Sequence, residues 1–211
     1  MNGVMTVTDI VYGDNKKYVI YLNDAPAFEL YKSEIKSCLI EKGQDLSCEQ
    51  QQYILEQVLG KRAKKRAMHI LEKHDKTEQQ LREKLSEGRY PQVCIDMAVE
   101  YVKSYGYIND YSYAERYVAY RSGSKSLNML KRELLAKGIA SGIINEVLEQ
   151  EEVDEIATVM KFLKKKLISA EEVTREKKEK LTASMMRKGF SYRTIEQAFR
   201  RLEETSEEWE Q

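Results

Sequence analysis

The amino-acid sequence predicts a mainly α-helical fold: three tandem three-helix repeats that form an elongated array, preceded by a small N-terminal β-hairpin and helix region. Three observations predict it. From residue 61 onward, apolar residues recur with the period of about 3.6 that is typical of helices. One spaced set of apolar residues occurs three times, and β-branched residues concentrate near the start. Because only two prolines and ten glycines interrupt 211 residues, long helices are favoured over a many-stranded sandwich.

The first thirty residues predict a β-hairpin. Two runs rich in β-branched residues, 4–12 and 17–22, flank a glycine- and asparagine-containing turn at 13–16. A second turn at 23–26 precedes a short segment, 27–30, which is expected to add a third strand. A small sheet should therefore open the chain.

Two helices are predicted in the rest of the N-terminal region, which extends to residue 60. The first is expected over about 32–40. Ser47 and Gln50 have the spacing of a capping box, in which each side chain accepts a hydrogen bond from the other residue's backbone amide. This motif predicts a second helix that begins after Ser47 and continues through Leu59.

The helical part repeats one apolar pattern three times. In each window, apolar residues lie at offsets 0, 4, 9, 14 and 18, and the windows begin 49 and then 51 residues apart. The first pair marks the buried stripe of one helix, the next residue plugs the corner, and the last two face the same core from a second helix. The three sets are Leu81, Leu85, Tyr90, Ile95 and Val99; Leu130, Leu134, Ile139, Ile144 and Leu148; and Leu181, Met185, Phe190, Ile195 and Phe199.

A glycine near each corner (Gly88, Gly138 or Gly189) is expected to end the preceding helix, because glycine adopts the left-handed conformation at low cost, although Gly88 lies one position earlier than the other two. A further amphipathic stretch precedes each window, so each unit should contain three helices. The predicted domains are the N-terminal region 1–60, helical repeats at 61–110, 111–150 and 151–202, and an acidic tail at 203–211.

Charge is balanced overall, with 35 basic and 35 acidic residues, but it is unevenly distributed. Residues 1–60 carry 5 basic and 9 acidic groups, whereas residues 161–201 carry 13 basic and 5 acidic groups. A surface that binds a polyanion would produce this asymmetry, and so would solvated helix faces.

Several classes of protein are disfavoured. The three cysteines are odd in number and far apart, which argues against a disulfide framework, and no apolar run reaches the length of a membrane span. There is no glycine-rich phosphate loop and no zinc-protease motif, and the only histidines, His69 and His74, are five residues apart. We therefore expect a cytoplasmic protein that is not an enzyme and has no catalytic residues, metal, cofactor or small-molecule substrate.

Basic residues supply the candidate contacts to a partner or to DNA. They are Lys61, Arg62, Lys64, Lys65 and Arg66 at a predicted helix start; Arg121, Lys125, Lys131 and Arg132 around the loop 122–124; Lys161, Lys164 and Lys165 on one predicted helical face; and Arg187 and Lys188. Positive charge at a helix start opposes the helix dipole, so a phosphate or an acidic partner would explain the first group. A solvated helix face is the alternative interpretation.

Seven of the fourteen tyrosines lie between residues 101 and 120. Their rings would be able to stack on bases. Such rings more often pack at helix corners while their hydroxyl groups reach water, and we expect that packing role here.

Several segments resemble the RecX family of recombinase modulators, over about residues 62–202. They are Lys-Thr-Glu-Gln-Gln-Leu-Arg-Glu-Lys-Leu at 76–85, Gly-Tyr-Ile-Asn-Asp at 106–110, Arg-Glu-Leu-x-x-Lys-Gly-Ile at 132–139 and Arg-Lys-Gly-Phe-Ser at 187–191. The resemblance implies a three-repeat helical protein that lies in the groove of a RecA-type recombinase filament on DNA. It further implies inhibition of ATP hydrolysis and strand exchange, or filament disassembly, and so a role in recombination, DNA repair and the SOS response.

Two other classes of function remain open. Three-helix units also resemble helix-turn-helix modules, so a DNA-binding transcription factor is the alternative. It would prefer one duplex sequence over random DNA. A structural scaffold would have no affinity for DNA even at low salt.

Overall fold

The computed structural model describes residues 4–151, 154–167 and 174–204. The chain divides into two compact units, one ending at Asn109 and the other beginning at Asp110. The first unit contains the N-terminal region and the first three-helix repeat, and the second unit contains the other two repeats. The predicted tail beyond residue 204 lies outside the described residues.

A four-stranded antiparallel sheet opens the first unit. Its strands are β1 (Met5–Tyr12), β2 (Lys17–Leu22), β3 (Ala25–Tyr31) and β4 (Asp45–Leu46), in the order β3-β2-β1-β4. The predicted hairpin is confirmed, and its turn places Asn15 and Lys16 at φ 57° and 61°, the positive values that two-residue hairpin turns require. The third strand is also confirmed. The two-residue β4 carries no periodic signal and was not predicted.

The described residues of the first unit also form five α-helices, of which α1 precedes β4: α1 (Lys32–Ser37), α2 (Cys48–Tyr53), α3 (Lys61–Leu71), α4 (Glu78–Glu87) and α5 (Gln92–Ser104). The helix predicted over 32–40 ends early, because Leu39 takes a left-handed φ of 53°. The capping box before α2 is confirmed, since Ser47 Oγ accepts from the Gln50 amide at 3.1 Å and Gln50 Oε1 accepts from the Ser47 amide at 3.0 Å.

Helical backbone runs without a break from Cys48 to Leu71. A π-helical stretch, Ile54–Gly60, joins α2 to α3, and Gly60 itself is helical at φ −62° and ψ −45°. The predicted helix start at Lys61 is therefore wrong. The basic residues that follow lie within a longer helix, so no exposed helix N-terminus opposes their charge.

The sheet and the first repeat share one hydrophobic core. Buried residues from β1 to β4, the π-helical stretch and helices α3 to α5 form a single cluster. Its members include Val7, Ile20, Leu30, Leu46, Leu59, Ala63, Leu81, Leu85, Ile95 and Val99. This shared core fixes which faces of α3 and α5 are buried and which remain exposed.

The described residues of the second unit form six helices: α6 (Asp110–Arg121), α7 (Leu127–Ala136), α8 (Ser141–Gln150), α9 (Glu155–Lys166), α10 (Arg175–Arg187) and α11 (Tyr192–Glu204). Helices α6 to α8 enclose one core and α9 to α11 enclose another. The first core includes Val118, Leu130, Leu134 and Ile144, and the second includes Val159, Leu163, Met185 and Phe199.

The repeated apolar pattern is confirmed by burial. All fifteen positions pack in the three cores; Tyr90, Leu148 and Leu181 are partly buried and the others are buried. Gly138 and Gly189 end their helices at φ 82° and 90°, as predicted.

The first corner departs from this pattern. Gly88 has an ordinary φ of −78°, and Arg89 takes the left-handed conformation at φ 55°. The helix does end at Gly88, as predicted, but the left-handed conformation expected of that glycine is wrong. Close packing explains the glycine there, because a Cβ would lie 3.0 Å from the Tyr90 ring and 3.1 Å from the Leu85 carbonyl oxygen.

Candidate partner-binding surfaces

A groove of 330 Å³ in the second unit is lined by four lysines. The loop after α6 supplies one wall, and helices α9 and α10 supply the other. No carboxylate is among the described residues that line it. The lining residues are Gly123, Ser124, Thr158, Lys161, Phe162, Lys165, Lys166, Met185, Lys188 and Phe190. We call this feature the lysine groove.

Helix geometry aligns the lysines along an apolar floor. Lys161 and Lys165 are one turn apart on the exposed side of α9, and Lys166 occupies the last turn, where a cation is favourable to the helix dipole. The Lys188 ammonium lies 4.9 Å from the centroid of the Phe162 ring. The lysine groove therefore presents concentrated positive charge above apolar surface.

Contacts between the second and third repeats hold the walls of the groove. The Ser126 amide donates to the Lys188 carbonyl oxygen at 3.2 Å, and the Leu127 amide donates to Glu155 Oε1 at 2.7 Å. Gly189 approaches so closely that a Cβ there would overlap Ser126 Oγ and lie 2.9 Å from Met129 Cβ. These contacts fix the N-terminus of α7 against the third repeat.

Glu133 binds one of the predicted basic residues of the second repeat, Lys125. Tyr117 Oη donates to Glu133 Oε2 at 2.7 Å, and Lys125 Nζ donates to Oε1. Burial raises the pKa of Glu133, but the hydrogen bonds from Lys125 and Tyr117 outweigh it, so the pKa lies below its ordinary value. Burial, together with the hydrogen bond to Glu133, raises the pKa of Tyr117 to about 12. Lys125 is thus paired within the unit.

The remaining candidates of the second repeat have different surroundings. The Arg121 guanidinium lies 5.4 Å from the Tyr120 ring centroid, and Tyr120 is exposed. Lys131 Nζ donates to Asn145 Oδ1 at 2.8 Å, and Arg132 is exposed on α7.

In the first unit, α3 brings three candidate lysines together. Lys61, Lys64 and Lys65 border an open depression of 530 Å³, together with Met68, His69, Glu72 and Tyr101. The Lys64 ammonium lies 5.2 Å from the Tyr101 ring centroid. Arg66 is exposed but does not line this depression.

Arg62, in contrast, points into the first unit. Its guanidinium donates to Glu34 Oε2 and to the Glu29 carbonyl oxygen, both at 2.6 Å, and it lies between the rings of Tyr31 and Tyr90. These contacts favour a structural role for Arg62 over the predicted contact to a partner or to DNA.

The Glu29 carboxylate forms a second buried ionic site in the first unit. Its side chain is 9% exposed and pairs with Lys17 at 3.2 Å and with Arg89 at 3.0 Å. The left-handed conformation of Arg89 thus carries its side chain to β3.

Within residues 4–151, 154–167 and 174–204, no group of three histidine, cysteine or acidic side chains is arranged to hold a metal ion. Over the same ranges, no helix has the length and apolar character needed to cross a bilayer.

Comparison with known families identifies all three repeats. The first, second and third three-helix domains of RecX match residues 63–101, 109–148 and 152–199, respectively. The chain belongs to the RecX family. RecX proteins are a family of regulatory proteins and not an enzyme family.

Curated RecX relatives match almost the whole chain. The regulatory protein RecX of Caldanaerobacter subterraneus is 30% identical over 198 residues, which cover 92% of this chain and 98% of the relative. The regulatory protein RecX of Clostridium perfringens is 28% identical over 204 residues, covering 95% and 96%. The matched segments include the N-terminal region as well as the repeats.

Two solved RecX structures share the fold. The crystal structure of RecX from Lactobacillus salivarius aligns with a TM-score of 0.59 at 22% identity, over 69% of this chain and 97% of that one. Another crystal structure of regulatory protein RecX aligns with a TM-score of 0.57 at 22% identity, over 91% and 97%.

Within this RecX-family chain, the structure unites some predicted candidates and separates others. Lys161, Lys165 and Lys188 share the lysine groove, whereas Lys164 and Arg187 are exposed outside its lining. Lys166 and the floor residues Phe162 and Phe190 were missed as site residues. Phe190 belongs to the apolar pattern of the third repeat and Phe162 to the amphipathic stretch that precedes it, so no sequence signal distinguishes them from core.

Proposed function

We propose that this chain binds a RecA-type recombinase filament on DNA and modulates it, mostly by inhibiting ATP hydrolysis and strand exchange. It would act in the cytoplasm and affect recombination, DNA repair and the SOS response. Membership of the RecX family supports the choice of partner. The lysine groove is the observation that carries the proposal, because it offers an anionic partner a defined place to bind.

The chemistry of the groove suits a polyanion. Its four ammonium groups lie close together without a carboxylate among the described lining residues. Each nucleic-acid phosphate that they neutralise releases counterions, and salt screens their attraction to acidic side chains, so either kind of binding should weaken as salt increases. Lysine contacts of this kind read charge and carry little information about base sequence.

Inhibition of the filament by binding requires no catalysed reaction in this chain. Each of the two units presents basic residues of its own, on α3 in the first and on α9 and α10 in the second. A partner made of repeated protomers offers several equivalent contacts, and several weak contacts made together bind far more tightly than one. Such a ligand would oppose the protomer movements that strand exchange needs.

The test is the DNA-dependent ATPase rate of the cognate recombinase, with this chain titrated in at substoichiometric amounts. The wild-type chain should lower the rate. Lys161→Glu/Lys165→Glu should require about ten-fold more protein for the same effect, the expectation for losing roughly 1.4 kcal/mol of binding free energy.

Lys32→Glu/Lys36→Glu is the matched control. These two exposed lysines also lie four residues apart on a helix, and they are outside the groove. The control should behave like wild type. If the folded wild-type chain leaves the rate unchanged at every ratio, the proposed function is wrong; if both double variants lose potency equally, the groove is not the contact surface.

A further inference from the structure

Three tyrosine rings extend outward from Lys64 at the end of α5. The Lys64 ammonium lies 5.2 Å from the Tyr101 ring centroid, and the Tyr101 and Tyr105 centroids are 5.0 Å apart. Tyr107 continues the row, with its ring 6.0 Å from that of Tyr105 and tilted from it by only 23°. We call this row the tyrosine ladder.

The outer two rings of the ladder are not core residues. Tyr105 is 62% exposed and Tyr107 is 53% exposed, and neither belongs to the apolar cluster of the first unit. Of the three rings in the ladder, Tyr101 alone packs against that cluster. The packing role expected from the sequence thus holds for Tyr101 but leaves the outer rings without a structural explanation.

Backbone geometry holds the outer rings in place. Gly106 takes a φ of 70°, which turns the chain back after α5, and the Tyr107 amide then donates to the Val102 carbonyl oxygen at 2.9 Å. The next residue, Ile108, is only 6% exposed and anchors the chain in the core. The ladder is therefore a built feature of the helix end and keeps two nearly parallel ring faces in water.

Positive charge borders the same surface. Lys61 and Lys65 are exposed on α3, and with Lys64 they border the depression that Tyr101 also lines. Aromatic faces beside lysines are the combination that proteins use to bind unpaired nucleic acid, since every base has a stacking face and every nucleotide has a phosphate.

We propose that the tyrosine ladder and Lys61, Lys64 and Lys65 bind single-stranded nucleic acid, with bases stacked on Tyr105 and Tyr107. A duplex would gain only the phosphate contacts, because its bases are already stacked on each other. The inference deepens the proposed function by assigning the DNA contact of the first unit to unpaired bases. It is tested on the free chain, without recombinase.

The experiment measures fluorescence anisotropy of a labelled 20-nucleotide DNA of mixed sequence, as a single strand and as a duplex. Tyr105→Leu/Tyr107→Leu should bind the single strand about thirty-fold more weakly or worse, because roughly 1–3 kcal/mol is lost for each of the two stacked bases. Its affinity for the duplex should not change. Tyr105→Phe/Tyr107→Phe, which keeps both rings, should bind both forms like wild type.

Two control variants separate stacking from charge and from exposure alone. Tyr53→Leu removes a ring that is 56% exposed elsewhere in the same unit, and it should bind like wild type. Lys61→Gln/Lys65→Gln should lower the salt dependence of single-strand binding by about 1.4 in log–log slope, the value expected for two phosphate contacts. The leucine variant should keep the wild-type slope.

Equal loss of single-strand and duplex affinity in the leucine variant would overturn the inference, and so would unchanged single-strand affinity. Should that variant fail to fold in thermal unfolding, photo-crosslinking of wild type to a bromouracil-containing single strand decides the matter. Crosslinks at Tyr105 or Tyr107 support the inference, and crosslinks confined to other residues overturn it. The recombinase ATPase titration tests the lysine groove, and its result is independent of the result for the tyrosine ladder.

Discussion

The sheet and the first repeat meet through one continuous apolar core, whereas the second and third repeats keep separate cores and meet at helix ends. In the first junction, residues from all four strands and from α3 to α5 are buried together. In the second junction, the N-terminus of α7 contacts Glu155, Lys188 and Gly189. The two junctions lie in different units and have different chemistry.

This difference determines which substitutions should destabilise each junction. An apolar core spreads its stabilisation over many side chains, so loss of one residue should weaken the sheet and the repeat together. A contact at helix ends depends on a few hydrogen bonds and on one close approach, so a single added methyl group should disturb it. Substitutions at the two places test this contrast.

The largest effect is expected from Leu59→Ala in the shared core. Leu59 is fully buried in the π-helical stretch, and its truncation should lower the free energy of unfolding by about 3 kcal/mol. Hydrogen exchange should accelerate in both β2 and α5. Leu163→Ala, in the separate core of the third repeat, is the matched control and should leave both elements protected. Acceleration in α5 without β2 would contradict a shared core.

Gly189→Ala should have the next largest effect. The new Cβ would overlap Ser126 Oγ, and the φ of 90° would strain any residue other than glycine, which together should cost about 2–3 kcal/mol in thermal unfolding. Gly43→Ala is the control for strain alone, because its φ is 86° with no atom near the added Cβ. It should cost only about 1 kcal/mol. Equal destabilisation of the two variants would remove the steric argument.

Glu155→Ala should destabilise the second junction by about 1 kcal/mol, since the Leu127 amide would lose its carboxylate acceptor. Glu155→Gln retains an oxygen at that position and should recover most of the loss. Exchange of the Leu127 amide hydrogen, followed by nuclear magnetic resonance, reports the bond directly. An alanine variant with wild-type protection there would show that the hydrogen bond does not hold α7.

The smallest effect concerns pH and compares Glu133 with its glutamine variant. Its carboxylate has a lowered pKa in the folded state, so its contribution to stability is present above the pKa of the unfolded chain and is lost as pH falls through the folded value. Glu133→Gln should therefore lose less stability than wild type on acidification below about pH 4.3, the ordinary glutamate pKa. Thermal unfolding across that range checks it, and parallel curves would contradict it.

Sequence periodicity predicted the repeats well because burial and helical period are coupled along a single helix. The apolar set around Leu130 and Leu134 packs where the offsets place it. The capping box at Ser47 was equally predictable, because Ser47 and Gln50 are only three residues apart. Local interactions of this kind can be predicted because they involve residues that are close together in the sequence.

Features that depend on distant residues were not visible in the sequence. Arg62 resembles its lysine neighbours until Glu34 and the Tyr31 ring, about thirty positions earlier, are placed around it. Arg89, and not Gly88, bends the first corner, and its side chain pairs with Glu29 sixty residues away. The lysine groove likewise needs a loop from one repeat beside helices from the next.

The unbroken helix from Cys48 to Leu71 also constrains how this chain can change over generations. A gene fusion or deletion can exchange a module cleanly where a linker separates two folded bodies, and here the backbone offers none between the sheet and the first repeat. A breakpoint at Gly60 would cut hydrogen-bonded turns and leave Leu81 and Ile95 without part of their apolar cover. The sheet and the first repeat should therefore be inherited, lost and optimised as one piece.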